Sequence, residues 1–375
     1  MVLTFMHDIG GWRLRLWISL EFCTHCPYRL RRRVRRRYGA GMNGSIDDDA
    51  AAMDDFIRSR TGAAAQVSMR QGLAQLRRDT ITRCAAEVRA SGRRLMFGMV
   101  TSLALQSIPL PADCDLDMSS LHVVSSRKTR RIARRPAHHP RGALSPHVWS
   151  ALPQGENVCI AGNVYALDLR HTWAQLAVHL PLESLIALGD SIVSATADRP
   201  AVAKGRDGTA IREDLVGFVS GLPKFKGKLA CARAAALVMP DVDSPWETAT
   251  RLALCRHGIP FPTTNHAVRD AFFRSGSPMT LDLAWPEYRV AVEYDGDHHR
   301  TDKTQWRRDQ EKRTKLGNHG WTVVTVTADT LRTESSRAEF AFIVARHLML
   351  RGADFMFRPV ATPVEALADS RRKVR

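Results

Sequence analysis

Residues 279–300 read Met-Thr-Leu-Asp-Leu-Ala-Trp-Pro-Glu-Tyr-Arg-Val-Ala-Val-Glu-Tyr-Asp-Gly-Asp-His-His-Arg, and no other stretch constrains the fold as tightly. Two alternating runs flank Pro-Glu-Tyr-Arg, which predicts strands at 280–285 and 290–295 around a turn over Pro286–Arg289. With Glu287 and Tyr288 as the central turn residues, Pro286 faces Arg289, Ala284 faces Ala291, and Asp282 faces Glu293. Leu281 and Leu283 then share one face with Val290 and Val292, while Asp282, Glu293 and Asp295 share the other. Directly opposed side chains lie about 4.5–5.5 Å apart at Cβ, and like charges so placed are destabilising. A divalent cation removes that conflict, and Mg²⁺ is typically held by one or two carboxylates together with waters and phosphate oxygens. The small Ala284 and Ala291 predict an open pocket on the acidic face. An exposed acidic hairpin without an ion is the competing reading.

The flanks extend this hairpin into a larger unit. A helix is expected from Thr301 or Asp302 to Asn318, closed by His319-Gly320. Gln305, Asp309, Lys312 and Leu316 share one of its faces. Leu316 and Trp306 should point at the sheet, which brings Lys312 towards the same core edge. Trp321–Thr327 has strong strand propensity. Upstream, Ser244 is a good N-cap, Pro245 suits the first helical turn, and Glu247 completes a capping box. The order helix, strand, strand, helix, strand predicts a mixed sheet flanked by helices. Trp246, Trp285 and Trp321 read as core residues at element ends.

The charge lies elsewhere. The 375 residues carry a net charge of +17, and a chain of this length suggests two domains. Residues 1–40 hold nine Arg against two acids, and residues 118–155 hold seven Lys or Arg, four His and no acid. Residues 241–340 are close to neutral, with 14 basic and 15 acidic side chains. Arg127, Lys128, Arg130, Arg131, Arg134 and Arg135 are therefore candidate nucleic-acid contacts, against the alternative of a solvated loop. The charge suggests a polyanionic partner, nucleic acid first and an acidic membrane surface second.

The rest of the chain reads coarsely. Helices are expected over 53–93 and Leu95–Ser107, the latter stopped by Pro109 and Pro111. Strands follow at Leu121–Val124 and Val158–Ala161, then helices at Thr172–His179, Leu182–Val193 and 210–238. Glu183 and Asp190 read as helix-capping or solvated. The expected division is a basic extension at 1–52, disordered or spurious, a helix-rich α+β domain at 53–200, a helical connector at 201–240, an α/β domain at 241–350 and a tail at 351–375. Seven irregularly spaced cysteines and no secretory signal suggest free thiols in a reducing cytoplasm. Cys23-Thr-His-Cys26 has no second pair nearby, so a zinc site is not expected. No apolar run reaches the length of a membrane span.

Ser244-Pro-Trp-Glu247, Asp282-Leu-Ala-Trp-Pro286, Val292-Glu-Tyr-Asp-Gly-Asp-His-His299, Asp309-Gln-Glu-Lys312 and Gly320-Trp-Thr-Val323 together resemble the endonuclease-like domains related to very-short-patch-repair nucleases. These belong to the PD-(D/E)xK restriction-endonuclease-like fold, and the resemblance covers about residues 241–335. It implies Mg²⁺-dependent hydrolysis of DNA phosphodiesters, with Mn²⁺ as a substitute ion. Asp282, Glu293 and Glu247 would be metal ligands, and Asp295, His299 and Lys312 would join the catalytic set. The wider fold carries a lysine two residues after the Glu, where this chain has Asp295. Lys312 or His299 would have to take that part. A non-catalytic DNA-binding regulator on the same scaffold is the alternative. Upstream, Val100-Thr-Ser-Leu-Ala-Leu105, Ile108-Pro-Leu-Pro111 and Leu167–Leu185 leading to Leu188-Gly-Asp190 resemble type IV abortive-infection antitoxin-like proteins. No winged helix accompanies that likeness, so operator binding is not expected.

Overall fold

In the computed structural model, the described residues are 69–128, 132–152, 155–295 and 303–373. The chain divides into units 1–56 and 57–375, and every described residue belongs to the second.

Helix α1 (Met69–Ser91) ends where Gly92 adopts φ +60° and its N–H donates to the Val88 carbonyl. Glycine is the natural residue for that left-handed turn. The next segment is not the single helix expected over Leu95–Ser107. It is a short strand β1 (Met96–Phe97) followed by α2 (Met99–Leu105). The break is steric in origin. A Cβ on Gly98 would sit 2.2 Å from Val124 Cγ2, so the chain passes too close to the next strand for any side chain.

Strands β2 (Leu121–Ser125), β3 (Leu144–Val148), β4 (Asn157–Ala161) and β5 (Val164–Leu167) complete a five-stranded mixed sheet in the order β3-β2-β1-β5-β4. Asp168 then caps α3 (Leu169–Leu176) by accepting the His171 N–H at 3.1 Å. Helices α4 (Leu182–Ala197), α5 (Pro200–Ala203), α6 (Gly208–Gly221) and α7 (Lys228–Leu237) follow. The stretch 210–238 is thus two helices, with Pro223 and Gly227 in the break between them.

The motif Leu188-Gly189-Asp190 in α4 has a packing reason. A Cβ on Gly189 would lie 2.5 Å from Val238 and 3.3 Å from the Trp173 indole nitrogen. The glycine therefore lets α4 close onto both. Asp190 is neither a cap nor solvated. It is fully buried and ion-paired with Arg251, also fully buried, at 2.5 Å. Thr248 Oγ1 donates to the same carboxylate at 2.6 Å and the Met239 N–H at 2.8 Å.

The second sheet comprises β6 (Thr263–Phe272), β7 (Pro278–Trp285), β8 (Val290–Tyr294) and β9 (Thr322–Val326), in that order. Helix α8 (Pro245–Arg256) precedes it, and α9 (Lys303–Asn318) crosses from β8 to the parallel β9. The hairpin register is the expected one, with Leu283 opposite Val292, Ala284 opposite Ala291 and Trp285 opposite Val290. The turn is a single 3₁₀ turn, Pro286–Tyr288, closed by Arg289 at φ 48°. The sequence pattern does not predict strand β6.

One face of this sheet packs Leu283, Trp285, Val290 and Val292 on Leu254 of α8 and on Phe340, Val344 and Leu348 of α10 (Glu334–Leu350). Leu281 packs apart from Leu283, with Met279 and Ala271. The open pocket expected over Ala284 and Ala291 does not exist. Both alanines are fully buried and share a core with Leu316 of α9 and Trp321. The small residues make room for a helix, not for solvent. Finally, residues 351–375 are more than a tail. Helix α11 (Val364–Lys373) returns to the upstream core, where Val364 and Ala368 are buried. Arg233 of α7 holds its Asp369 through two hydrogen bonds of 3.1 and 2.7 Å. No described helix is long and apolar enough to cross a membrane.

Candidate active site

Three elements bring acidic side chains together. Ser244 caps α8 by accepting the Glu247 N–H at 3.3 Å. Glu247 reaches back, with Oε2 accepting the Asp243 N–H at 3.0 Å and Oε1 the Ser244 hydroxyl at 2.9 Å. Ser244 caps the helix as expected, but the reciprocal half of the capping box differs: Glu247 takes the N–H of Asp243, one residue before the cap, in place of the Ser244 N–H, and this holds it buried against the start of its own helix. Both of its oxygens are engaged in the cap. The carboxyl is therefore held by the cap before it is a free metal ligand.

Asp282 lies on β7, just beyond the last Leu283–Val292 pair, and its Oδ2 accepts the Tyr294 N–H at 2.9 Å. Glu293 lies on β8 and is half-buried. Lys312 of α9, on the helical face it shares with Leu316, donates to its Oε1. Asp309, one turn earlier, adds negative charge near Glu293. Asp295 follows the end of β8, and its backbone N–H donates to the Val326 carbonyl at 2.8 Å. His299 lies outside the described residues.

The carboxylates share one electrostatic condition. Burial first, and the neighbouring Asp282 charge after it, push the Glu247 carboxyl up to about 7. Burial raises Asp282 as well, against the Tyr294 N–H and Lys312. Glu293 is raised by burial, against the pull of Lys312 and with the push of Asp282 and Asp309. Such a group favours the protonated form in the folded chain. Folding therefore binds protons here, and stability falls as pH rises from the ordinary carboxylate range through about 7. For Glu247 alone the loss is on the order of 3 kcal/mol. Thermal midpoints of the metal-free protein should decline between pH 5 and 8, and Glu247→Gln should flatten that decline. An identical pH slope in the variant would show that Glu247 ionises freely.

Hard oxygen donors with raised pKa values suit a small divalent cation. Asp282 and Glu293 are the residues best placed to hold one, with Glu247 behind them. Among the described residues, no three His, Cys, Asp or Glu side chains form a ready ligand cluster. The aromatic surroundings differ from expectation in one place. Trp285 is core, but Trp246 is 38% exposed and stacks on Tyr294, ring centres 5.2 Å apart and nearly parallel. Trp321 is partly buried against the Ala284 and Ala291 cluster.

The basic stretch divides in two. Arg127, Lys128 and Arg134 are exposed, and Arg130 and Arg131 lie outside the described residues. Arg135 is not a surface contact. It is buried against Glu87 of α1, with hydrogen bonds of 3.0 and 2.5 Å, and it also donates to the Gly142 and Arg141 carbonyls. Its role is structural. Five cysteines, Cys84, Cys114, Cys159, Cys231 and Cys255, are free thiols in the described residues.

No family model matches the chain, and no solved structure matches it. Two uncharacterized proteins of Mycobacterium tuberculosis, MT2308 and Rv2248, are each 28% identical to it over 183 residues. The match covers 49% of this chain and 57% of each relative, so the chain spans little more than half the length of the curated proteins it matches.

Proposed function

We propose that the chain is a Mg²⁺-dependent endodeoxyribonuclease whose acidic hairpin is the catalytic centre. The observation that carries this reading is the meeting of Asp282, Glu293 and Lys312, from the two central strands of the sheet and the crossover helix. The element order α8-β6-β7-β8-α9-β9, with β8 and β9 parallel, supports the likeness to the restriction-endonuclease-like fold. So does the placement of Lys312. The wider fold takes its lysine from the hairpin, and here an ammonium reaches Glu293 from α9 instead.

When bound, Mg²⁺ supplies Lewis-acid polarisation of the phosphate and a lowered pKa for its water. The protein's own groups do the remaining work. Asp282 and Glu293 provide hard donors already held in place by the Tyr294 N–H and Lys312. Lys312 offers a fixed positive charge for the negative charge that develops on the phosphate. The Tyr294–Trp246 stack stiffens the strand end between them.

A second reading, a DNA-binding regulator without chemistry, is favoured by the Glu293–Lys312 pair itself. It satisfies the carboxylate with no ion present. Supercoiled plasmid distinguishes the two. The nuclease nicks or linearises it with Mg²⁺ or Mn²⁺ and stops when EDTA is added. Cleavage that persists in EDTA sinks the metal reading, and DNA binding without cleavage under either ion favours the regulator.

A further inference from the structure

Away from the hairpin, the turn at Gly92 sets Arg93 on the surface beside the loop that leads into β3. Between them lies a groove of about 480 Å³. Arg93, Arg134 and Arg141 are exposed around it, and His139 is half-buried among them. The Arg135–Glu87 pair forms part of its lining. Glu87 is the only acid among the lining residues and is spent on Arg135, so the three rim guanidiniums face no compensating charge from the groove. The His139 imidazole is held below its ordinary range, by desolvation first and then by Arg135 and Arg141.

We propose that this groove is a docking site for the phosphodiester backbone of nucleic acid, with Arg93, Arg134 and Arg141 each taking a phosphate. Guanidinium forks match phosphate oxygens in pairs, which is why arginine suits this contact. The buried Glu87–Arg135 pair keeps the loop and α1 at a fixed spacing, so the rim charges are positioned before the ligand arrives. The shape argues against a membrane surface. The site is concave, and none of its lining residues is among the exposed large apolar side chains that could enter a lipid layer. The contacts involve no base edges, so docking is independent of sequence. The site does not depend on the hairpin chemistry, and it includes Arg93, which no pattern in the basic stretch identifies.

The test is duplex binding by the full chain, with EDTA present, measured by fluorescence anisotropy across a salt series. Each phosphate neutralised contributes about −0.9 to the slope of log affinity against log salt on B-form DNA. The variant Arg93→Gln/Arg134→Gln/Arg141→Gln should be shallower by about 2–3 and bind roughly 10²-fold more weakly near physiological salt. The N-terminal arginines contribute equally to both proteins, so the difference isolates the groove. Thermal midpoints should agree, since all three side chains are exposed, and the matching triple Lys variant should keep the steep slope. An unchanged slope in the Gln variant overturns the groove. So does loss of binding to phosphatidylglycerol vesicles while duplex binding is retained. A wild-type protein that never cleaves, yet whose slope falls in the Gln variant, removes the nuclease and leaves the groove standing.

Discussion

Replacing Asp190 with alanine is expected to destabilise the protein by roughly 3–5 kcal/mol, the largest effect of any single change away from the acidic hairpin. Asp190 and Arg251 are both fully buried, and among the described residues their 2.5 Å pair is the only salt bridge either makes. Burial pushes the Asp190 carboxyl up, while Arg251, Thr248 and the Met239 N–H oppose that push. Alanine would leave the guanidinium buried and unpaired, and its Nε already has no partner. A drop of several degrees or more in the thermal midpoint is the expected reading. The double variant Asp190→Leu/Arg251→Met should recover most of the loss, because it removes both charges and refills the space. A single variant within about 1 kcal/mol of wild type would mean that water reaches the pair.

Asp282→Asn and Glu293→Gln should each lower metal-dependent DNA cleavage by on the order of 10³-fold or more, consistent with removing a principal charge-stabilising group from a catalytic centre. The same changes should leave the folded protein no less stable, and Asp282→Asn should raise its metal-free thermal midpoint near pH 8. An asparagine oxygen can still accept the Tyr294 N–H, while the carboxylate whose ionisation burial opposes is gone. Lost activity together with retained or raised stability is the signature of residues kept for chemistry at the expense of folding. Full cleavage in both variants would remove the hairpin from the mechanism. Lost cleavage together with a collapsed midpoint would assign the carboxylates to the scaffold.

Local pattern carried the hairpin, and distance in sequence hid most of the rest. Alternation and the Pro-Glu-Tyr-Arg turn set the register of β7 and β8, and offsets of three and four residues brought Lys312 and Leu316 to the correct face of α9. Both signals act over a few residues. Arg135 looked like one more surface arginine because its partner, Glu87, lies 48 residues upstream. Asp190 looked like a solvated helix residue because Arg251 lies 61 residues downstream. Strand β6 is hidden in the sequence because Asn265 and Asp270 take φ values of 45° and 62° within it, interrupting the alternation a regular strand would show. In the sequence, Ala284 and Ala291 fit an empty pocket as well as they fit a close-packed helix. Small side chains indicate close approach, but not whether a ligand or a helix does the approaching.

Helix α8 has a consequence for how the molecule can be taken apart. Its Leu252 is buried in the core of the upstream helices, whereas Ala253 and Leu254 are buried under the hairpin. The helix that presents Glu247 to Asp282 is thus a shared beam. Helix α11 closes the structure from the other side by returning the chain's end to the upstream core. A fragment beginning near residue 241 would keep the acidic hairpin but expose Leu252, Cys255 and an uncompensated Arg251. A fragment ending there would lose Val364 and Ala368 from its core. The acidic centre and the basic groove are therefore fittings on one chassis, and neither half of the chain is a reduced version of the whole.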